Sequence, residues 1–240
     1  MNPDTVRGAS TETHRDTAEP RPDGGATPEG ELDALVAALH EEADRDRPPE
    51  ATPEIGIVMG SDSDLDVMAG SETGRPGAYD ALTTLGFEEQ TGEGEPPESR
   101  FTFETYVVSA HRTPDLMYAY AETAEQRGLD IIIAGAGGKS ADLPNMTASI
   151  AYPLPVIGVP VQEKSVPSVI GMPQGAPLVA VDAGKSFNAA LSAVQMLARQ
   201  HDELRERLVA YHEDLVADVA VTSRELHDLG TEEFRRRRED

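Results

Sequence analysis

A hydroxyl, an imidazole and a guanidinium arrive together in the run Val107-Val-Ser-Ala-His-Arg-Thr-Pro114. Ser109 can donate or accept a hydrogen bond, Arg112 is a bidentate partner for phosphate or carboxylate, and His111 exchanges protons near neutral pH. An apolar stretch precedes them, and Pro114 suits the first turn of a helix. The three groups therefore fall at the carboxyl end of a strand, the edge at which open α/β sheets bind ligands. A second cluster, Gly60-Ser-Asp-Ser-Asp64, also follows an apolar stretch. Its small residues allow a sharp turn, Ser61 suits a phosphate at a helix N-terminus, and Asp64 can accept hydrogen bonds from sugar hydroxyls. Either cluster, read alone, is equally a helix cap, since Ser and Asp are favoured there.

A third polar loop reads Ala134-Gly-Ala-Gly-Gly-Lys-Ser-Ala-Asp-Leu-Pro144. Its glycines, Gly135, Gly137 and Gly138, let a flat ligand approach the main chain. The glycine spacing is not that of a dinucleotide fingerprint, nor does a Gly-Lys-Ser/Thr close a four-residue spacer as in a Walker loop. NAD and ATP are therefore not expected. His14, His40, His111, His201, His212 and His227 are scattered without zinc spacing, and there is no cysteine, so no metal site is expected. A fourth loop, Pro160-Val-Gln162, follows another apolar run. Four such loops on one sheet edge are hard to explain as independent caps. Together they predict a pocket for a phosphorylated, sugar-bearing small molecule, with His111 as the proton-transfer group.

The elements that must position these loops are short and apolar. Residues 55–59, 103–108, 131–134, 156–159 and 178–181 read as strands buried on both faces of a parallel sheet, since they do not alternate. Helical stretches over 78–85, 114–127 and 145–151 lie between them. This order predicts an α/β fold, a doubly wound parallel sheet with helices on both faces. Residues 70–77 and 90–100, rich in Gly, Pro and Glu, read as inserted surface loops. Residues 1–30 have almost no large apolar groups and are expected to be disordered. Leu32, Leu35, Val36 and Leu39 then mark a short helix over 31–40, expected to pack on the main domain, and a proline-rich linker covers 46–53. After Gly184 a long helical region carries the stripe Phe187, Leu191, Val194 and Leu197, continued by Leu204, Leu208, Tyr211, Leu215 and Val219. Such a stripe is core or subunit contact and predicts a homo-oligomer. The expected domains are an acidic extension over 1–53, a catalytic α/β domain over 54–200, and a helical extension with a charged tail over 201–240.

Acids number 44 against 20 bases, for a net charge of −24, and three of the bases are lysines: Lys139, Lys164 and Lys185. Such a surface repels nucleic acid and anionic lipid, so neither is an expected partner. The acids run through the whole chain, which points to a salt-rich cytosol. At about 1 M salt the screening length falls to about 3 Å, enough to quench this self-repulsion. No apolar span suits a membrane and no signal-peptide core precedes residue 30, so the cytoplasm is the expected compartment.

Five segments now occur in order: Gly56-Ile-Val-Met-Gly-Ser-Asp-Ser-Asp64, Val107 to Asp115, Ile132 to Gly138, Pro155 to Gln162, and Met172-Pro-Gln-Gly-Ala-Pro177. In these the chain resembles the N5-carboxyaminoimidazole ribonucleotide mutases of purine biosynthesis, over about residues 54–215. The resemblance implies a flavodoxin-like three-layer fold, an octamer, no cofactor, and migration of a carboxylate from the exocyclic nitrogen to C4 of an imidazole. It implies that Ser61 and Arg112, with Ser109, hold the phosphate, that Asp64 binds the ribose, and that His111 is the general acid/base. The loop through Gly135, Gly137 and Gly138, with Leu143 at its far end, would close over the ring and enclosed CO₂.

The chain also departs from that pattern. The family's loop continues Gly-Gly-Ala-Ala-His-Leu-Pro-Gly, whereas here it is one residue longer, with Asp142 for the His and Asn145 for the Gly. Lys139 is either a charge for the migrating carboxylate or a solvent-facing loop residue. A related class carboxylates the aminoimidazole directly and carries Gly-Arg-Ser in this loop; direct carboxylation is the enzymatic alternative. A nucleotide-binding regulatory module is the non-enzymatic one.

Overall fold

The computed structural model describes residues 27–48, 51–71, 74–92 and 97–239. Of residues 1–30, expected to be disordered, 1–26 lie outside the described ones, as do the centres of the two inserted loops, while residues 28–30 are instead the first turn of a helix. Six strands, β1 (Ile55–Met59), β2 (Glu88–Glu89), β3 (Thr102–Val107), β4 (Ile131–Ala136), β5 (Val156–Pro160) and β6 (Val179–Ala180), form one sheet in the order β2-β3-β1-β4-β5-β6. Every pairing is parallel. Apart from the two-residue edge strand β2, this is the flavodoxin-like order, in which the chain reverses its winding at the central strand.

The central strands are apolar on both faces because both faces are covered. Ile55, Ile57, Met59, Ile131, Ile133, Ile157 and Val159 point into one core, under helices α2 (Leu65–Met68), α3 (Ala78–Thr84) and α7 (Ser186–Leu197). Ala78 and Ala81 of α3 share that core with Ala189, Ala190 and Ala193 of α7, and side chains this small let two helices lie close together. Val58, Ile132, Ala134 and Val156 enter the opposite core, under α4 (Pro114–Thr123), α5 (Leu143–Ile150) and α6 (Val166–Val169).

Outside these three layers, α1 (Pro28–Ala43) carries the predicted amphipathic stretch and is six residues longer than 31–40 suggested. It begins with Thr27, whose hydroxyl accepts from Gly30 N–H at 3.2 Å, followed by Pro28 at the first helical position. Leu39 is buried, and Leu32 and Val36 pack beside it on the α4 side of the domain.

Several sequence expectations change. The helix predicted over 114–127 ends at Thr123, and the strand predicted over 178–181 shrinks to β6. The acidic pair forming β2 carries no apolar signal; it is a strand only because it lies beside β3, Glu88 N–H donating to Phe101 O at 3.1 Å and Gln90 N–H to Phe103 O at 2.7 Å. The single long helical region after Gly184 is three helices: α7, α8 (Asp202–Leu229) and α9 (Thr231–Glu239). Its stripe divides. Val194, Leu197 and Leu204 are buried, and Leu208 and Tyr211 pack on the core, but Leu215 and Val219 lie exposed on a helix that has left the domain. Among the described residues no helix is long and apolar enough to cross a membrane.

Candidate active site

The loops after β1, β3, β4 and β5 meet at the carboxyl ends of the strands around one cavity of about 440 Å³. Pairing of β1 with both β3 and β4 makes this the point where the winding reverses.

After β1, the chain turns at Gly60, whose N–H donates to Gly135 O at 3.1 Å. Ser61 caps a single 3-10 turn, Asp62–Asp64, that leads into the four-residue α2. Two helical pieces this short align few peptide dipoles, so the phosphate affinity predicted for a helix N-terminus has to come from side chains. Ser61 Oγ donates to Asp62 Oδ1 at 2.9 Å, and Ser63 N–H donates to the same oxygen at 2.9 Å. The Ser61 hydroxyl and Ser63 N–H hold the Asp62 carboxyl below its usual range. Asp64 is different, being almost fully buried. Burial pushes its carboxyl up, against the pull of the Gly137 and Ser61 backbone and the Arg112 charge.

After β3, Ser109, His111 and Arg112 occupy the turn before α4. The turn is braced internally: Ser109 N–H donates to Thr113 Oγ1 at 2.9 Å and Arg112 N–H to Ser109 Oγ at 3.2 Å. The Arg112 side chain crosses to the first loop, Nη2 donating to Gly60 O at 3.0 Å, while Nε lies 3.4 Å from Ser109 Oγ. Arg112 thus joins the two clusters and remains exposed toward solvent, where an anion can reach it. The His111 side chain is 60% exposed, and its Nε2 lies 3.1 Å from Asp142 Oδ2.

After β4, the glycine loop divides. Gly137 and Gly138 line the cavity, and a Cβ at Gly137 would come within 2.9 Å of Asp64 Oδ1. The bare main chain there leaves room for the Asp64 carboxylate. Gly135 does not line the cavity. It lies within β4, where a side chain would overlap the Met68 sulfur. Lys139 is exposed and stands outside the lining, whereas Leu143, at the start of α5, is in it.

Of the residues predicted from sequence, the cavity therefore brings together Ser61, Asp64, Ser109, His111, Arg112, Gly137, Gly138 and Leu143, and leaves out Gly135 and Lys139. It adds Asp142, Ser140, Gln162 and Lys164. Gln162 ends the fourth polar loop already singled out in the sequence. Lys164, on the 3-10 turn after β5, had no signal beyond being one of three lysines. Among the described residues no group of acids and histidines is placed to hold a metal ion.

The lining offers hydroxyls, a guanidinium, a buried carboxylate and an imidazole around one space. That suits an anionic, hydroxylated small molecule on which a proton must move. Known proteins similar to this chain fall in one family. The sequence profile of the AIR carboxylase family matches residues 54–218. A Mycobacterium tuberculosis protein named N5-carboxyaminoimidazole ribonucleotide mutase is 43% identical over 188 residues, covering 76% of this chain and 95% of that protein. A Thermotoga maritima protein of the same name is 37% identical over 193 residues, covering 78% and 99%. A crystal structure of Treponema denticola PurE shares the fold with a TM-score of 0.56 at 21% identity, covering 72% of this chain and 98% of that one. The match runs through every loop of the cavity, and the chain belongs to the AIR carboxylase family.

Proposed function

We propose that this chain is an N5-carboxyaminoimidazole ribonucleotide mutase of purine biosynthesis. It converts 5-carboxyamino-1-(5-phospho-D-ribosyl)imidazole to 5-amino-1-(5-phospho-D-ribosyl)imidazole-4-carboxylate. The observation that carries the reading is the meeting of Arg112, Asp64 and His111 in one cavity, with Arg112 bonded to the Gly60 turn. Arg112 with Ser61 and Ser109 anchors the phosphate, and Asp64 takes the ribose hydroxyls. Gly137, Gly138 and Leu143 form the wall against the imidazole ring.

The reaction is balanced without any co-reactant. The N–CO₂ bond breaks as the exocyclic nitrogen takes a proton from His111, leaving aminoimidazole and enclosed CO₂. The enamine carbon C4 attacks that CO₂, and His111 then removes the C4 proton, restoring the aromatic ring and its own protonation state. Keeping bulk water out matters, because CO₂ would otherwise escape or hydrate. Lys164 supports the reading by bringing a positive charge to the cavity; the exposed position of Lys139 favours the solvent-facing alternative for that residue. Residues 54–200 carry this activity, with 1–53 and 201–240 as extensions. The enzyme works in the cytoplasm as a homo-oligomer, an octamer on the family resemblance, and the apolar face of α8 supports association.

A paired assay in high KCl tests the proposal. One arm supplies the carboxyamino substrate, the other the aminoimidazole ribonucleotide with bicarbonate. Turnover in the first arm supports a mutase; efficient use of only the second identifies a direct carboxylase instead, and binding without turnover in either leaves a regulatory module.

A further inference from the structure

We propose that Asp142 is the positioning residue for His111, holding the proton on Nε2 so that Nδ1 is the nitrogen that exchanges protons with substrate. The proposal rests on the reading of His111 as the proton-transfer group. Asp142 stands at the N-cap of α5, where an Asp side chain ordinarily accepts from its own helix, yet it makes no such bond. Both of its oxygens are committed elsewhere. Oδ2 lies 3.1 Å from His111 Nε2, and Oδ1 accepts from Ser168 Oγ at 2.9 Å. Ser168 is held in turn, since Asn145 Nδ2 donates to its backbone oxygen at 2.7 Å. Asp142 and Asn145, two of the residues in which this loop departs from the family's, thus converge on one serine of α6.

The donors and acceptors in this chain allow one arrangement. An ionised carboxylate only accepts, so the hydrogen between Asp142 and His111 belongs to Nε2. In the neutral ring Nδ1 is then the bare base. An exposed imidazole without such a partner would be free to turn and to exchange tautomers; a carboxylate partner sets both orientation and tautomer. The other carboxylate of the cavity cannot take this role, because Asp64 is buried against Gly137.

Asp142→Asn makes the test sharp. The Ser168 hydroxyl donates toward Oδ1, so it retains the amide oxygen and turns the amide NH₂ toward His111. That NH₂ can only donate, which forces Nε2 to accept and moves the ring proton to Nδ1. Nitrogen-15 NMR of the full chain, with the ring neutral, reads the tautomer directly. The expected result is Nε2–H in the unaltered protein and Nδ1–H in Asp142→Asn. Turnover is expected to fall by about 10²-fold, the range for losing a general acid/base, with KM changed by less than about threefold. Adding Ser168→Ala to Asp142→Asn frees the amide to present its oxygen, and is expected to return the proton to Nε2 and recover about tenfold in kcat. A proton on Nδ1 in the unaltered protein, or no change of tautomer in Asp142→Asn, overturns the proposal. Because the NMR result needs no turnover, a chain that failed the paired assay would refute the mutase reading while leaving the role of Asp142 to be decided on its own.

Discussion

The buried pair Glu104–Arg127 offers the clearest quantitative test of how the domain is held. Glu104 lies on β3 and is 5% exposed; Arg127, in the turn after α4, is 1% exposed. Arg127 Nη1 donates to both carboxylate oxygens at 2.7 and 2.8 Å, and Nε lies 3.2 Å from Thr123 Oγ1. The guanidinium also sits 4.7 Å from the Tyr120 ring centroid. Burial, the largest single influence, works against the charged guanidinium, but the charge and hydrogen bonds of Glu104 together with Tyr120 outweigh it, so Arg127 is held more firmly protonated than a free arginine. Removing one partner of such a pair strands a buried charge and costs about 3–5 kcal/mol. Glu104→Gln keeps one acceptor, which places it near 3, about 6–12 °C in Tm for a domain of this size. Replacing both partners, as Glu104→Gln with Arg127→Met, removes the stranded charge and should cost much less than the sum of the single changes. Urea unfolding at fixed protein and KCl concentration measures the cycle. The pair lies at the amino ends of the strands, away from the cavity, so kcat well below Tm should stay within about twofold of the unaltered protein. A single-variant cost under about 1 kcal/mol, or strict additivity in the double variant, would refute the reasoning.

Three other outcomes follow from the site and the charge. His111→Asn should keep substrate binding and lower turnover by about 10²–10⁴, while Arg112→Ala should mainly weaken binding; equilibrium titration beside steady-state kinetics separates them, and full activity in the first would remove His111 from the mechanism. Asp64 has its carboxyl pushed up by burial, so the folded state favours its neutral form. Its contribution to stability is present below the ordinary carboxylate range and is lost as pH rises through the raised value. Asp64→Asn should therefore melt at or above the unaltered protein at pH 7, lose that advantage in acid, and bind substrate poorly; a lower Tm at pH 7 would contradict this. With a net charge of −24, Tm should rise from dilute buffer toward about 1 M KCl as repulsion is screened. A maximum in dilute buffer would sink the salt-rich reading.

Much of the architecture is legible in the chain because the apolar runs are short, unbroken and bounded by turns. Residues 55–59 and 131–134 announce strands covered on both faces, and the flanking helices do cover them, although β4 runs two residues further, to Ala136. The edge pieces are not legible. Glu88 and Glu89 have no strand preference of their own, and the stripe from Leu204 to Val219 has one period although only its first turns find a core. Periodicity states which face of a helix is apolar; whether anything lies against that face is a tertiary fact.

The site divides along the same line. Ser61, Asp64, Ser109, His111 and Arg112 were visible from sequence, since each follows a strand and parallel strands present their carboxyl ends on one edge. Spacing along the chain could not show that Gly135 ends inside β4 against Met68 while Gly137 opens beside Asp64, because the end of β4 is set by its pairing with β5, which runs as far as Ala136 beside Pro160. Nor could it show that Lys164 enters the cavity in place of Lys139. The bond from His111 to Asp142 joins residues 31 positions apart, and that from Asp142 to Ser168 joins residues 26 apart. The sequence by itself determined which chemical groups stand at the strand ends. Only the packing of α5 and α6 against the sheet decided which of them touch, because hydrogen bonds act over about 3 Å and the chain between the partners holds no record of that distance.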